Sequence, residues 1–151
     1  DSDDLESFLF ETSRRTLVNI GKRLKETVSD RCFYCGSKVA EADVDHFIPF
    51  ALYSRDLIHN FVLAHPSCNR SKSDTLAAKM HLDHWLEHGE RYSDDLHEIA
   101  NQEGVAANLT GSRAVTEWAY QLAVNTEANA WIKAGKYEPV SSAYLRRVPF
   151  I

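Results

Sequence analysis

The chain has 151 residues, of which 44% are hydrophobic and 26% are charged, which suits one compact domain with a helical extension and excludes a disordered or fibrous protein. It contains no apolar run near the roughly 18 residues that a membrane helix needs, so we predict no membrane partner. The formal net charge of -5 argues against tight nucleic-acid binding by the chain as a whole.

Hydrophobic spacing predicts the first elements in chain order. Apolar residues at three- and four-residue steps predict a helix over residues 3–28. The run Cys32–Gly36 is typical of a tight turn, and short apolar stretches predict strands at Ala42–His46 and Asn60–Ala64. Pro66 is suited to the first position of a helix, which we expect to continue to Gly89.

The second half of the chain is expected to be mostly helical. Ser93 is a suitable cap for a helix over 94–102, and apolar spacing that includes Trp118 and Trp131 predicts a helix over 113–134. Residues 137–151 are expected to be irregular or weakly extended. The predicted fold class is therefore α+β, with an N-terminal helix at 1–30, a core at 31–80 and a mostly helical extension at 81–151.

The acidic charge lies mainly after the core segment. Residues 31–80 carry six basic and five acidic side chains, whereas residues 81–110 carry one basic and seven acidic side chains. The core segment is thus near neutral, which weakens the objection to a nucleic-acid partner.

Two pairs of metal-ligating residues have the same internal spacing, Cys32-x-x-Cys35 and His65-x-x-Cys68. Two such turns supply four tetrahedral nitrogen and sulfur ligands, so we predict a closed, structural Zn²⁺ site. Three buried cysteines acting as small hydrophobic residues are the alternative. An odd cysteine count and the absence of a secretory signal in the first thirty residues predict a reduced, cytoplasmic location. The chain begins at Asp1 rather than Met, which leaves a larger parent chain open. A partner subunit and a homodimer are also left open.

Between and after these pairs lie an Asp beside a His, Asp45-His46, and an Asn directly after the last cysteine, Asn69. Carboxylate and amide oxygens are ligands that Mg²⁺ prefers, and a neutral imidazole can take a proton from water near neutral pH. This combination suits metal-assisted phosphodiester cleavage.

The order C-x-x-C, D-H-x-x-P, Asn, H-x-x-C-N-x-x-K over residues 32–74 resembles the HNH, or ββα-metal, endonucleases, both their zinc-knuckle McrA-like members and the HNH domain of Cas9. The resemblance covers about a third of the chain, and His65 stands where zinc-bearing relatives usually have Cys. It implies a zinc-stapled ββα-metal core and a nuclease of the restriction or phage-defence kind that cuts DNA, with RNA as an open alternative.

The resemblance also implies a role for each site residue. His46 would be the general base, Asp45 and Asn69 would hold a catalytic Mg²⁺ or Mn²⁺, and Asn60 would position the loop that carries the base. Arg70 and Lys72 would contact the nucleic-acid backbone.

Simpler interpretations stand beside these. Asn60 could cap a strand and Asn69 could bond backbone amides at a helix start, and Asp43 is left outside the site as a solvated neighbour. His81, His84 and His88 are expected to form a polar helix surface rather than a second metal site, and Trp85, Trp118 and Trp131 are expected to pack in the core. A zinc-stabilised nucleic-acid or protein binding module without nuclease activity is the alternative function.

Overall fold

The structure, a computed structural model, describes residues 12–146 of the chain. The part of the expected helix that precedes residue 12 lies outside the described residues, as do residues 147–151. Helix α1 spans Arg14–Thr27, and the hydroxyl of Ser13 caps it by accepting a 3.1 Å hydrogen bond from the backbone N–H of Thr16. The sequence predicts one unbroken helix over 3–28. That prediction is wrong, because residues 12 and 13 are not helical.

A two-stranded antiparallel hairpin follows, with β1 at Asp43–His46 and β2 at Phe61–Ala64. Both strands fall within the predicted stretches. The register places His46 opposite Phe61, and a 3-10 turn at Ile58–Asn60 leads into β2. All four residues of β2 are buried, which fixes the hairpin in the core.

The helix predicted from Pro66 to Gly89 is in fact two helices, α2 at Pro66–Lys72 and α3 at Lys79–Arg91. Ser73 interrupts it with a backbone φ of +52°. The segment between the helices then pairs with a distant strand, because Trp131 exchanges backbone hydrogen bonds with Leu76 and Ala78. This tertiary pairing overrides the local helical spacing.

Helices α4 at Ser93–Glu103 and α5 at Leu109–Asn125 are followed by a second hairpin, β3 at Asn129–Lys133 and β4 at Lys136–Pro139, and by a 3-10 turn at Ser142–Arg146. The predicted helix over 113–134 is wrong in its last third, since α5 ends at Asn125 and Trp131 lies in β3. Tyr92, not Ser93, is the N-cap residue of α4. With two small sheets among its helices, the fold is α+β, as predicted.

The core joins α1, the first hairpin and α3. The indole of Trp85 stacks on Phe47 at 5.3 Å between ring centroids and donates to the backbone oxygen of His59. Trp118 is 49% exposed, so its expected core position is wrong. Among the described residues, no helix has the length and apolarity to cross a bilayer.

The expected polar surface of α3 is wrong for His81 only, since His84 is exposed and His88 is partly exposed. His81 is buried, with Nε2 2.8 Å from the backbone oxygen of Ile132. His84 stacks on the ring of Phe33, and His88 meets that ring edge-on. The imidazoles of His84 and His88 thus cover Phe33, which directly follows Cys32 of the predicted zinc site.

Candidate functional site

The three cysteines and His65 come together as predicted. Their ligand atoms, the three Sγ atoms and a ring nitrogen, all lie within 4.8 Å of one another. Gly36, with φ of +77°, closes the turn that carries Cys32 and Cys35. His65 is the N-cap residue of α2 and Cys68 lies in its first turn, so the cluster joins that turn to the start of the helix.

The cluster fits Zn²⁺. The Nδ1 atom of His65 lies 3.3 Å from Sγ of Cys35 and 3.9 Å from Sγ of Cys68. Tetrahedral Zn–S and Zn–N bonds place such atoms about 3.6 Å apart. The other ring nitrogen, Nε2, lies 3.0 Å from the backbone oxygen of Lys38. Because a carbonyl oxygen only accepts, Nε2 carries the proton and donates it. Nδ1 is then free to be the metal ligand.

The pKa values of the cysteine thiols also support a bound cation at this cluster. Burial raises the pKa of Cys35, but hydrogen bonds from Ser37 outweigh it and lower the pKa to about 7. Burial and the adjacent Cys32 raise the pKa of Cys68 to about 12. Three thiolates can share this small space only if a cation compensates their charge. A zinc ion held by these four protein ligands would have no open position, which suits a structural role.

A separate cleft of about 240 Å³ lies beside β1 and α2. Asp45, His46 and Asn69, the three residues expected to carry the chemistry, all line it, together with Val44, Pro49, Phe50, Ser73 and Asp74. The structure thus brings the predicted base and the predicted cation ligands to one surface opening.

Asp45 is 6% exposed and makes two polar contacts, both through Oδ2. It accepts a 2.5 Å hydrogen bond from the hydroxyl of Tyr34 and pairs with Nζ of Lys72 at 3.3 Å. Burial, with the charge of Asp45, raises the pKa of Tyr34 well above its ordinary value, so the phenol stays a donor.

Lys72 does not lie where a nucleic-acid contact requires it. Its side chain is fully buried, and its ammonium also donates to the backbone oxygen of His46 at 3.1 Å. Burial lowers the pKa of Lys72, and the charge of Asp45 only partly opposes that effect. The prediction that Lys72 contacts the nucleic-acid backbone is therefore wrong. Its buried ammonium instead fixes Asp45 and His46 from within the protein. Arg70, by contrast, is exposed on α2.

A carboxylate that the sequence did not single out holds the imidazole of His46. Nε2 of His46 lies 2.7 Å from Oδ1 of Asp56, whose Oδ2 accepts a 2.7 Å bond from the backbone N–H of Thr12. Burial acts to raise the pKa of Asp56, but these two hydrogen bonds bring it below its ordinary value. An ionised carboxylate only accepts, so Nε2 carries a proton and Nδ1 is the nitrogen left to act as a base. Asp56 lies ten residues beyond His46 in an irregular loop, where no motif marks it.

Asn60 lies behind the cleft rather than in it. Its amide closes a double hydrogen bond with the backbone of Ile48, accepting at 2.7 Å from N–H and donating at 2.9 Å to the oxygen. It thereby fixes the chain that leaves His46, which is the arrangement that the family resemblance implies. Asn69 donates through Nδ2 to Oδ2 of Asp43 at 3.4 Å, so Asp43 adjoins the site rather than being a solvated neighbour.

The comparison with protein families agrees with the motif. Residues 32–75 match the family model described as HNH endonuclease, which confirms the resemblance over a little under a third of the chain. The match contains the metal cluster, both strands of the first hairpin and α2. Neither a curated protein nor a solved structure matches the chain significantly.

Proposed function

We propose that the protein is a metal-dependent endonuclease that hydrolyses phosphodiester bonds of DNA. One observation carries the proposal: Asp45, His46 and Asn69 line a single cleft, and a buried carboxylate orients the imidazole there. The family match over residues 32–75 supports the reaction class.

His46 is the general base in this proposal. Asp56 accepts the proton-bearing Nε2, so Nδ1 presents its lone pair and takes the proton of the attacking water. Asp56 then stabilises the imidazolium that forms, as a positioning residue that does not touch the substrate. The rings of Phe50 and Phe61, at 5.5 and 5.0 Å between centroids, keep the imidazole from rotating.

Asp45 and Asn69 would hold the divalent cation, Mg²⁺ or Mn²⁺. The fit rests on donor chemistry, because both contacts of Asp45 use Oδ2 and the Nδ2 atom of Asn69 is directed to Asp43, which leaves an oxygen of each for a hard cation. When bound, that ion supplies charge stabilisation at the phosphate and the leaving oxygen. Arg70, which is exposed on α2, would contact a neighbouring phosphate.

The finer parts of the proposal rest on the family resemblance. They are a DNA rather than an RNA substrate, cleavage to 5′-phosphate and 3′-hydroxyl ends, and a role in restriction or phage defence. A panel of duplex DNA, single strands, branched DNA and RNA separates the substrate classes.

The test is plasmid nicking by zinc-loaded protein with Mg²⁺, with Mn²⁺ and with EDTA. We expect cleavage that needs the divalent ion and falls at least about a thousandfold in His46→Ala, since the base is lost. His97→Ala is the matched control, because His97 is an exposed histidine on α4. Zinc-loaded protein that cuts under no divalent ion, or a His46→Ala variant as active as the control, would contradict the proposal.

A zinc-stabilised binding module is the second candidate, and one observation favours it. The ammonium of Lys72, 3.3 Å from Asp45, already compensates the charge that a catalytic cation would meet. Calorimetric titration of zinc-loaded protein with Mn²⁺ distinguishes the two, since the module predicts no binding that depends on Asp45.

A further inference from the structure

A groove of about 650 Å³ runs between α1 and the outer side of β1. We name it the α1 groove. One wall is a face of α1 that carries Arg14, Lys22 and Lys25. The other wall is the chain that enters β1, with Asp43 and Val44.

Three cations line this groove along one helix face. Arg14, Lys22 and Lys25 are separated by eight and three residues, which places the first and last about 16 Å apart along the helix axis. Arg14 and Lys22 are exposed, and Lys25 donates only to the backbone oxygen of Ala40, at 3.2 Å. Helix α1 carries five basic residues and one acidic residue, although the whole chain has a net charge of -5. The positive charge is therefore concentrated on this element.

The groove has a fixed shape because α1 packs closely on β1. A Cβ atom built on Gly21 would lie 3.2 Å from Cγ2 of Val44, so glycine allows this approach. The row of cations is thus held at a set distance from the strand that ends in His46.

The α1 groove and the cleft that contains His46 share a wall. Val44 lines both. Asp43 lines the groove and accepts from Nδ2 of Asn69, which lines the cleft. A polyanion lying in the groove would therefore pass next to the residues proposed to hold the cation.

We propose that the α1 groove binds the phosphodiester backbone of the substrate strand beside the phosphate that is cut, an inference that rests on the proposed function. A linear row of cations fits a chain of phosphates, because each phosphate of a nucleic-acid strand carries one negative charge. Such contacts position the substrate without reading its sequence. Helix α1 lies outside the family match at residues 32–75, so this surface is a feature of the chain's own N-terminal region.

The test is the charge reversal Arg14→Glu with Lys22→Glu in the full, zinc-loaded chain. Lys133→Glu with Lys136→Glu is the control, because it makes the same change in charge on the exposed second hairpin. Binding of a labelled 20-base-pair DNA is measured by fluorescence anisotropy in the His46→Ala background, so that no cleavage intervenes. We expect at least tenfold weaker binding in the groove variant than in the control, and a salt dependence with about two fewer counterions released.

The second measurement compares rates on plasmid DNA and on bis(p-nitrophenyl) phosphate, a diester too small to reach the groove. We expect the groove variant to lose at least ten times more activity on DNA than on the small diester. Equal losses on both substrates, or DNA binding equal to that of the control, would overturn the inference. If the wild-type protein cuts neither substrate, the proposed function fails, whereas the binding comparison still decides the groove.

A neutral pair, Arg14→Ala with Lys22→Ala, keeps the test decisive if charge reversal prevents folding. The competing occupant is residues 1–11, which carry five acidic and no basic side chains. Groove-dependent binding of a labelled peptide of that sequence, without groove-dependent binding of DNA, would assign the groove to that segment and overturn the inference.

Discussion

Asp56→Asn is the change that most directly tests how His46 is oriented. Oδ2 of Asp56 accepts the backbone N–H of Thr12, so the asparagine must place its carbonyl oxygen there. Its NH₂ group then faces Nε2 of His46, which becomes an acceptor. The proton moves to Nδ1, and the imidazole is left in the tautomer that cannot take a proton from water.

The size of the effect follows from the two hydrogen bonds. Turning the amide the other way restores the base but sets NH₂ against the N–H of Thr12, an unsatisfied contact that costs about 1–3 kcal/mol. The competent tautomer is then roughly 5- to 150-fold less populated. Losing the charge that stabilises the imidazolium adds a comparable factor, so kcat should fall between about 25-fold and about 2 × 10⁴-fold. The same substitution in serine proteases costs about 10⁴ through the tautomer.

The assay is steady-state cleavage of DNA over a range of substrate concentrations, which gives kcat and KM together. KM should change little because Asp56 does not face the substrate. Asp94→Asn, the same chemical change on the exposed surface of α4, is the control. In a His46→Ala background, Asp56→Asn should have no further effect on the rate, whereas a purely structural role would lower it again and lower the melting temperature. A kcat within threefold of the control would refute the reasoning.

Three further predictions concern stability. Cys68→Ser should reduce bound zinc from one ion per chain to none and lower the free energy of unfolding by about 5 kcal/mol or more, as measured by metal analysis and thermal unfolding; a variant that keeps its zinc would contradict this. Lys72→Met should destabilise the protein by about 3–5 kcal/mol in urea unfolding, because it leaves the carboxylate of Asp45 buried without its partner, and adding Asp45→Asn should recover part of the loss. Burial and nearby His84 lower the pKa of His88 to about 4, so the unfolded chain takes up this proton first as the pH falls, and stability is lost between about pH 6.5 and 4. His88→Gln should remove about 1 kcal/mol of the loss between pH 7 and 5.5, and an unchanged slope, at equal zinc content, would count against the assignment.

Local spacing was enough to predict the metal cluster and the first hairpin. Two residues between ligands let one turn present both side chains, and the short β-rich runs have few alternative conformations. The α+β class followed from these elements. The family match agrees over the same segment.

Features that depend on distant residues could not be predicted in this way. The segment after Ser73 has helical spacing, yet it pairs with Trp131, which is far along the chain. Asp56 reaches His46 only because the loop after β1 folds back. The motif predicts Lys72 as a surface cation, but Lys72 is the last residue of α2 and its side chain is fully buried beside Asp45. The division of the chain into an N-terminal helix at 1–30, a core at 31–80 and an extension at 81–151 stays a prediction.

Trp131 has a further consequence through the indole N–H, which donates to the hydroxyl of Ser71 at 2.9 Å on α2. The same residue supplies an extra strand-like partner for the stretch that follows α2. Residues 32–75, which match the HNH family model, are therefore held at α2 by a residue sixty positions later in the chain. Transplanting residues 32–75 alone into another protein should yield a fragment with an uncovered flank, so the smallest portable unit of this protein extends through the second hairpin.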